Sequence, residues 1–392
     1  MDISHFFEPL DPNEFPYNGD PTEQIRLGNI ISIHTDDGGL PDYTECNLAL
    51  IGVTDDRRSV GNEGCGLAPN AIRKYLFHLT VGPYPIKMID LGNIKTGFSV
   101  SDTYFALTSV VAELIENNVL PIILGGGQDL TFANYQAYHS LGQIINIVGI
   151  DPMFDLGKSE EEIGSQSYLS SIILHQPNYL FNFANIGYQT YFIDQDALKL
   201  MKNLFFDTYR LGIVRETIED VEPIVRNADM LTFDISAIRH SDAPGNANAT
   251  PNGFYGEEAC QIVRYAGLSD KLTSIGFYEV NPKYDKNGQT AHLVAQMIWY
   301  FIDGYYNRAH DFPFKNEEDY LKYRVSISDH KEDIVFYKSK KTDRWWMEIP
   351  LPAEQRIRYE RHYLVPCSYK DYQIACENDI PDRWWMVYQK LM

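Results

Sequence analysis

Short apolar runs that alternate with segments of helical spacing restrict the fold of this chain more than any other feature. Eight runs fit buried strands, namely residues 48–53, 86–91, 119–124, 144–150, 183–187, 207–211, 230–233 and 272–277. Residues 69–76 and 290–299, between or after these runs, show helical spacing. Strands of this kind separated by helices are typical of a parallel sheet covered on both faces. The sequence therefore predicts an α/β fold of three layers, α/β/α, around a mostly parallel sheet of about eight strands.

The two ends of the chain differ from this middle part. Residues 1–43 are rich in Pro, Asn, Asp and Gly and show no helical or strand period, which indicates an irregular N-terminal arm. Residues 310–392 contain four of the five tryptophans, in two near-copies of one hexapeptide, Thr342-Asp-Arg-Trp-Trp-Met347 and Pro381-Asp-Arg-Trp-Trp-Met386. We therefore expect a main domain over 44–309 and an aromatic-rich C-terminal extension over 310–392. The paired tryptophans are either core residues of this extension or anchors for a ligand or an interface.

Acidic residues follow several of the predicted strands. Asp151 and Asp155 come after the fourth run, and Asp234 comes directly after the seventh. The carboxyl ends of parallel strands meet at one edge of a sheet, and clustered carboxylates are ligands that suit Mn²⁺, Mg²⁺ or Ca²⁺. An aspartate at the end of a strand also caps helices and fixes turns. The spacing alone leaves both interpretations open.

The same segments, taken in order, resemble the ureohydrolase family of arginase, agmatinase and formimidoylglutamase. The resemblance covers roughly residues 44–306. It depends on the segments Gly61-Asn-Glu-Gly-Cys-Gly-Leu-Ala-Pro-Asn-Ala-Ile-Arg73, Gly125-Gly-Gly-Gln-Asp129, Asp151-Pro-Met-Phe-Asp155, Phe233-Asp-Ile-Ser236, Asp242-Ala-Pro-Gly245, Thr250-Pro-Asn-Gly253 and Glu279-Val-Asn-Pro282. Each segment alone is a weak signal, but their shared order and spacing are specific.

The resemblance implies a binuclear Mn²⁺ site whose bridging hydroxide attacks the guanidinium or formimidoyl carbon of a substrate. Asp151, Asp155 and Asp234 match metal ligands of the family at their positions. Glu279 matches the glutamate that anchors the cationic substrate. A strand-end glutamate paired with an arginine is the alternative for Glu279.

Three ligand positions of the family carry other residues here. Gln128 and Met153 stand where the family has histidines, and Ser236 stands where it has its last aspartate. A thioether is a soft ligand that Mn²⁺ does not favour, and a serine brings no charge. We therefore expect no two-manganese cluster. The three aspartates, with the amide oxygen of Gln128, would hold either no metal or one weakly bound divalent cation, Mn²⁺, Mg²⁺ or Ca²⁺.

The histidines of this chain do not replace the missing metal ligands. Arginases and agmatinases place a histidine after the second metal segment, whereas this chain has none between His139 and His175. His240 follows Asp234 on a loop and is a candidate rescue ligand, although a loop histidine more often has another role. The sequence therefore indicates no confident catalytic residue.

The composition indicates which kinds of partner and which cellular compartment to expect for this chain. The formal charge of -21 repels the phosphate backbone of nucleic acids. The chain lacks a membrane-spanning apolar run and an export signal, and its five cysteines form no C-x-x-C pair. We expect a cytoplasmic protein that forms a homo-oligomer or binds a protein partner through its acidic body and Trp-rich tail, without nucleic acid or membrane insertion.

These observations favour an arginase-family protein that is catalytically inactive and acts as a binding or scaffold protein. The alternative is a metal-dependent hydrolase of C–N bonds other than peptide bonds, similar to a formimidoylglutamase or an agmatinase, that uses one metal or an altered metal. The first hypothesis depends on the substituted positions, and the second depends on the retained aspartates and Glu279.

Overall fold

The computed structural model describes residues 2–15, 25–157, 162–313, 317–328 and 332–391. Ten strands of these residues form one sheet, and they are β1 (Phe7–Glu8), β2 (Ser32–Ile33), β3 (Leu48–Val53), β4 (Met88–Ile94), β5 (Leu120–Leu124), β6 (Ile145–Ile150), β7 (Leu180–Tyr188), β8 (Asp207–Arg210), β9 (Met230–Asp234) and β10 (Ser274–Tyr278). Their order is β1-β4-β3-β5-β10-β9-β6-β7-β8, with β2 beside β4. Only β1 is antiparallel to its neighbour in this sheet. The predicted mostly parallel α/β sheet is therefore confirmed.

All eight predicted strands are present, with ends that differ by a few residues. The sheet has ten strands rather than about eight, because β1 and β2 come from residues of the predicted N-terminal arm. A strand of two residues has no period that a sequence pattern could reveal. Met1 and residues 16–24 of that arm lie outside the described residues.

Helices cover both faces of the sheet. The helices of the main domain are α1 (Ala68–Leu76), α2 (Val100–Glu116), α3 (Leu130–Ser140), α4 (Tyr168–Leu174), α5 (Gln195–Asn203), α6 (Leu211–Glu216), α7 (Glu222–Arg226), α8 (Gly256–Gly267) and α9 (Gln289–Tyr306). Helices α2 to α5 pack on one face, and α1 and α6 to α9 pack on the opposite face. Within the described ranges, no helix has both the length and the apolar character that crossing a membrane requires.

Strand β3 shows why the sheet needs a cover on both faces. Its side chains alternate between the two cores: Leu48 and Leu50 pack with one, and Ala49, Ile51 and Val53 with the other. All five are fully buried. Since successive residues of a strand point to opposite faces, a continuous apolar run is stable only between two helical layers.

The C-terminal part forms a second, antiparallel sheet with its own core. Its strands are β11 (Tyr320–Val325), β12 (Ile334–Ser339), β13 (Trp345–Glu348) and β14 (Leu364–Cys367), and its helices are α10 (Ala353–Arg358), α11 (Tyr369–Cys376) and α12 (Asp382–Leu391). The first copy of the repeated hexapeptide enters β13, whereas the second enters α12. Trp345, Trp346 and Trp384 are buried, and only Trp385 is exposed among these four tryptophans. The five residues that the two copies share thus adopt two different structures.

Charged contacts attach this extension to the main domain of the same chain. Arg344 lies 3.1 Å from the carboxylate of Glu222 in α7. The guanidinium of Arg226, also in α7, stacks 4.3 Å over the ring of Trp346. The first copy of the hexapeptide therefore packs on the body of its own chain.

A buried ion cluster makes a second attachment. Asp229, immediately before β9, is fully buried and lies 2.6 Å from Arg361 of the extension and 3.4 Å from Lys271. Burial raises the pKa of Asp229, but Lys271 and Arg361 lower it more, so that this pKa lies below its ordinary value. The extension thus supplies a counter-charge to a carboxylate at the base of the main sheet.

Candidate functional site

Four neighbouring strands of the main sheet, β5, β10, β9 and β6, end at the same edge. Asp151 directly follows β6, Asp234 is the last residue of β9, and Glu279 directly follows β10. Gln128 lies in the glycine-rich turn between β5 and α3. The backbone N–H of Gln128 donates to Glu279 Oε1 at 2.9 Å. The topology therefore joins residues that are far apart in the sequence.

The turn before Gln128 fits only because it is made of glycine. A Cβ on Gly126 would lie 2.0 Å from the backbone oxygen of Asp55. This close approach lets the loop after β3 lie against the loop after β5. The glycine run is therefore a tight turn that helps to form the site.

Three aspartates form the centre of this edge. Asp151, Asp155 and Asp234 each offer a carboxylate oxygen, and these oxygens all lie within 4.8 Å of one another. Asp151 and Asp155 are buried, and Asp234 is partly buried. A group of this kind is a candidate site for a hard divalent cation.

Two of these aspartates also hold their own turns. Oδ1 of Asp151 accepts the backbone N–H of Met153 at 2.6 Å, and Oδ1 of Asp234 accepts that of Ser236 at 2.7 Å. Oδ2 of Asp151 is buried and accepts from no donor among the described residues, and the carboxyl groups of Asp151 and Asp155 are close enough to share a hydrogen bond when one of them is protonated. The two interpretations left open by the sequence therefore apply together, since one oxygen fixes a turn while the carboxylate remains part of the cluster.

The cluster is electrostatically unfavourable without a cation. Burial, and then the negative charge of Asp155, raise the pKa of Asp151 well above its ordinary value. Burial and the charge of Asp151 do the same for the pKa of Asp234. Burial raises the pKa of Asp155 to about 8, and Asp234 adds to this effect. Mutual repulsion in a buried position is what a bound cation would relieve.

Gln128 is fully buried in the turn after β5. Its Nε2 donates to Oγ1 of Thr232 at 3.0 Å, and no donor to its Oε1 meets hydrogen-bond geometry among the described residues. Burial, and then the charges of Asp155 and Asp151, raise the pKa of the Tyr168 phenol, while a side-chain interaction with Gln128 lowers it, so this phenol lies between Gln128 and the aspartates. A buried amide oxygen at the sheet edge that carries three carboxylates is a candidate further ligand for a hard cation.

Glu279 is held by neutral donors. Ser59 Oγ and Asn62 Nδ2 each donate to its Oε2 at 2.7 Å, and the backbone of Gln128 donates to its Oε1. Burial raises the pKa of Glu279, while the bonds from Ser59 and Asn62 partly oppose that effect. No ion pair to Glu279 occurs among the described residues. The alternative of a glutamate paired with an arginine is therefore wrong.

Two of the site residues have a left-handed backbone. The φ angle is +49° at Asp155 and +66° at Glu279. Non-glycine residues seldom adopt this region, and such strain tends to occur at functional sites. The strained positions are thus a cation-site candidate and the candidate substrate anchor.

The substituted positions add no charged ligand. Met153 donates its backbone N–H to Asp151, and its carbonyl accepts a bond from Asn185 at 2.7 Å. Ser236 is buried next to Asp234. His240 is exposed, and the described cluster of metal-ligating side chains does not include it. Among the described residues, the structure brings together one group of acidic side chains that could hold a metal ion.

Sequence reasoning missed three residues of this site, Ser59, Asn62 and Tyr168. Asn62 lies in the segment 61–73 that carries part of the family resemblance, so a signal was present for it. Ser59 precedes that segment, and Tyr168 begins α4. Nothing in the sequence around Ser59 or Tyr168 indicates that Ser59 contacts Glu279 or that Tyr168 lies near Asp151 and Asp155.

The fold and the site together define a three-layer α/β protein with a candidate metal centre at the carboxyl edge of its parallel sheet. The family model described as "Arginase family" matches residues 46–303, well over half of the chain. The chain therefore belongs to the arginase family, and the resemblance to ureohydrolases is confirmed.

The chain is similar to curated proteins of known name, and its fold is similar to solved structures. A formimidoylglutamase from Staphylococcus aureus strain MRSA252 is 27% identical over 271 residues, which cover 66% of this chain and 86% of that protein. The structure of a formimidoylglutamase from Bacillus subtilis matches with a TM-score of 0.67 and 18% identity, over 75% of this chain and 96% of that one. A Trypanosoma cruzi formiminoglutamase with Mn²⁺ matches with a TM-score of 0.63 and 19% identity, over 72% and 99% of the two chains.

Proposed function

We propose that this arginase-family chain hydrolyses a carbon–nitrogen bond of a linear amidine, other than a peptide bond, with one divalent cation. The observation that carries the proposal is a set of four carboxylates that form no ion pair with Lys or Arg in the described part of the chain: Asp151, Asp155 and Glu279 are buried, and Asp234 is partly buried. Buried charges are normally paired or bind metals. A metal cation and a cationic substrate would together supply the missing positive charge.

The similar proteins support the reaction class. Formimidoylglutamase is the name of the curated relatives, and a solved relative is described with Mn²⁺. We extend that class of hydrolysis, and a preference for Mn²⁺ or a similarly hard cation, to this chain. A bound cation would polarise the substrate and lower the pKa of a water molecule at the site.

We assign one group of residues to the cation and another residue to the substrate. Asp151, Asp155 and Asp234 would hold the cation, with the amide oxygen of Gln128 as a further ligand. A carboxylate accepts about four hydrogen bonds, and Glu279 already accepts three. Its remaining capacity, and its negative charge, would hold the amidinium N–H groups of a substrate.

Metal analysis joined to an assay of urea, formamide and ammonia release tests this function, because a guanidino substrate gives urea and a formimidoyl substrate gives formamide or ammonia according to which C–N bond breaks. Protein made with Mn²⁺ in the medium should contain one bound metal per chain and should release product from formimidoylglutamate, agmatine or arginine. Asp151→Asn should remove the metal and lower turnover at least a hundredfold. The matched control is Asp196→Asn, which changes an aspartate whose side chain is 90% exposed. Equal turnover in the wild type and in Asp151→Asn would refute the proposal.

A second candidate is a binding or scaffold protein without turnover. The substitutions at Gln128, Met153 and Ser236 favour it, because the family's two-metal chemistry needs the ligands that they replace. It predicts no product from any of the three compounds, although the fold remains intact. Restoring the ligands together, as Gln128→His, Met153→His and Ser236→Asp, should raise the metal content from one to two ions per chain. An unchanged metal content would show that these positions do not correspond to ligand positions.

A further inference from the structure

A cavity of about 790 Å³ lies where the edge strand β8 meets the C-terminal extension. Its walls come from the turn after α5, from β8 itself, and from α11, α12 and the turn between them. We call it the β8 cleft and define it by Phe205, Asp207, Asp371, Asp379, Asp382 and Trp385. It is separate from the candidate functional site, whose residues follow the four central strands.

Trp385 is the tryptophan of the repeated hexapeptides that the folded chain does not bury. The side chains of Trp345, Trp346 and Trp384 are at most 7% exposed, whereas Trp385 is 43% exposed. It forms part of the wall of the cleft. An aromatic ring of this size left in solvent at a cleft is typical of a contact site.

A second aromatic residue, Phe205, lines the cleft and is 41% exposed. Its φ angle of +55° belongs to the left-handed residue that ends α5, because its N–H donates to the carbonyl of Lys202 and the N–H of Phe206 donates to that of Met201. The end of the helix therefore places an apolar ring at the wall of the cleft, where a contact with another molecule would bury it.

The charge of the residues that line the cleft favours a positively charged binding partner. Four aspartates line it, against the basic side chains of Lys202 and Arg383. Nη2 of Arg383 donates a hydrogen bond to the backbone oxygen of Asp220 at 3.3 Å. The net charge of the lining is therefore negative. A lysine or arginine side chain is attracted both by aspartates and by aromatic rings.

The edge of β8 provides the backbone contacts. Strand β8 pairs with β7 on one side, and within the described residues no strand pairs with its other side. An unpaired strand edge next to pockets for side chains is the arrangement by which an extended peptide adds to a sheet.

We infer that the β8 cleft docks an extended, basic segment of a partner protein. Its backbone pairs with the free edge of β8, and a Lys or Arg side chain lies against Trp385, Phe205 and the surrounding aspartates. The overall charge of -21 increases the rate at which such a segment approaches. This inference does not depend on the proposed hydrolysis.

Selection from a displayed library of random dodecapeptides on the full chain tests the inference. Binders should be rich in Lys or Arg with apolar residues at alternate positions. A synthetic binder, measured by fluorescence anisotropy, should lose at least tenfold in affinity with Trp385→Ala and with the double variant Asp379→Asn, Asp382→Asn. N-methylation at alternate backbone positions should also abolish binding, because it removes the donors that pair with a strand edge.

Phe98→Ala is the control, since it removes a fully exposed phenylalanine outside the cleft and should leave the affinity unchanged. Thermal melts of each variant verify that the chain is folded. The inference is overturned if no peptide is selected, if the selected peptides are acidic or neutral, or if Trp385→Ala and Phe98→Ala bind equally well. Binding that survives N-methylation would overturn the strand-pairing geometry.

Discussion

Replacing Asp155 with Asn tests whether the acidic cluster contains repulsion that a cation relieves. The substitution removes one negative charge and keeps the shape of the side chain. Asparagine also tolerates the left-handed backbone that this position requires, with φ at +49°. The change therefore isolates charge from packing.

The magnitude follows from the pKa of Asp155, which burial and the neighbouring Asp234 raise from 3.8 to about 8. The folded protein then binds this proton more tightly than the unfolded chain does. In the metal-free protein, stability is therefore lost as the pH rises from about 4 to about 8, and it levels off above that. Since one pKa unit corresponds to about 1.36 kcal/mol, Asp155→Asn should stabilise the metal-free protein at pH 8 by roughly 3 to 5 kcal/mol.

Urea unfolding at pH 5 and pH 8, in EDTA and in Mn²⁺, measures both effects. The gain from Asp155→Asn in EDTA should be much smaller at pH 5, where the wild-type carboxyl is protonated. Mn²⁺ at a hundred times its Kd should stabilise the wild type by about 2.7 kcal/mol, because it binds only the folded state. Mn²⁺ should stabilise the Asp155→Asn variant much less than the wild type, whereas it should stabilise Asp196→Asn as much as the wild type.

Two results would refute this reasoning. One is a loss of stability in the metal-free Asp155→Asn protein at pH 8, which would mean that the charge is compensated within the fold. The other is an undiminished response of the variant to Mn²⁺, which would mean that the cation binds elsewhere.

Three further substitutions probe other parts of the structure. Glu279→Gln should lower kcat/KM at least a hundredfold for a cationic substrate and leave the metal content unchanged; loss of metal as well would assign this residue to the cation site. Arg361→Ala should destabilise the fold by about 3 kcal/mol in urea, because it removes a partner of the buried Asp229, and a change no larger than that of the exposed Arg358→Ala would contradict this. Gly126→Ala should disrupt the turn, since its Cβ would lie 2.0 Å from a backbone oxygen, and both stability and metal binding should fall; an unaffected metal site would show that the turn is not needed for it.

The sequence predicted the main sheet well because its strands are buried on both faces. Such strands are continuous apolar runs, and each of the eight runs became a strand. The short strands β1 and β2 were missed, since their pairing with β4 depends on a neighbour that is distant in the chain. The two hexapeptides could not be told apart, because the surrounding chain decides which copy becomes a strand and which a helix.

The candidate site was predictable where its residues directly follow strands. Asp151, Asp234 and Glu279 occupy such positions, and their convergence follows from the parallel arrangement of the strands. The support of Glu279 by Ser59 was not predictable, because this contact spans more than two hundred residues and depends on the path of a loop. Asn62 lies in a segment that carries the family resemblance, but its bond to Glu279 depends on the same loop. The exposure of Trp385 was also decided by packing, since it shares its sequence context with the buried Trp346.

Strand β9 has an important carboxylate at each end. Asp229 at its base needs Arg361 from the extension, and Asp234 at its top belongs to the acidic cluster. A chain shortened before residue 310 would leave the lower carboxylate with Lys271 as its remaining partner in the cluster. If such a shortened chain binds less metal, the reason would be that β9 is destabilised at its base. The loss would not show that the extension takes part in the chemistry.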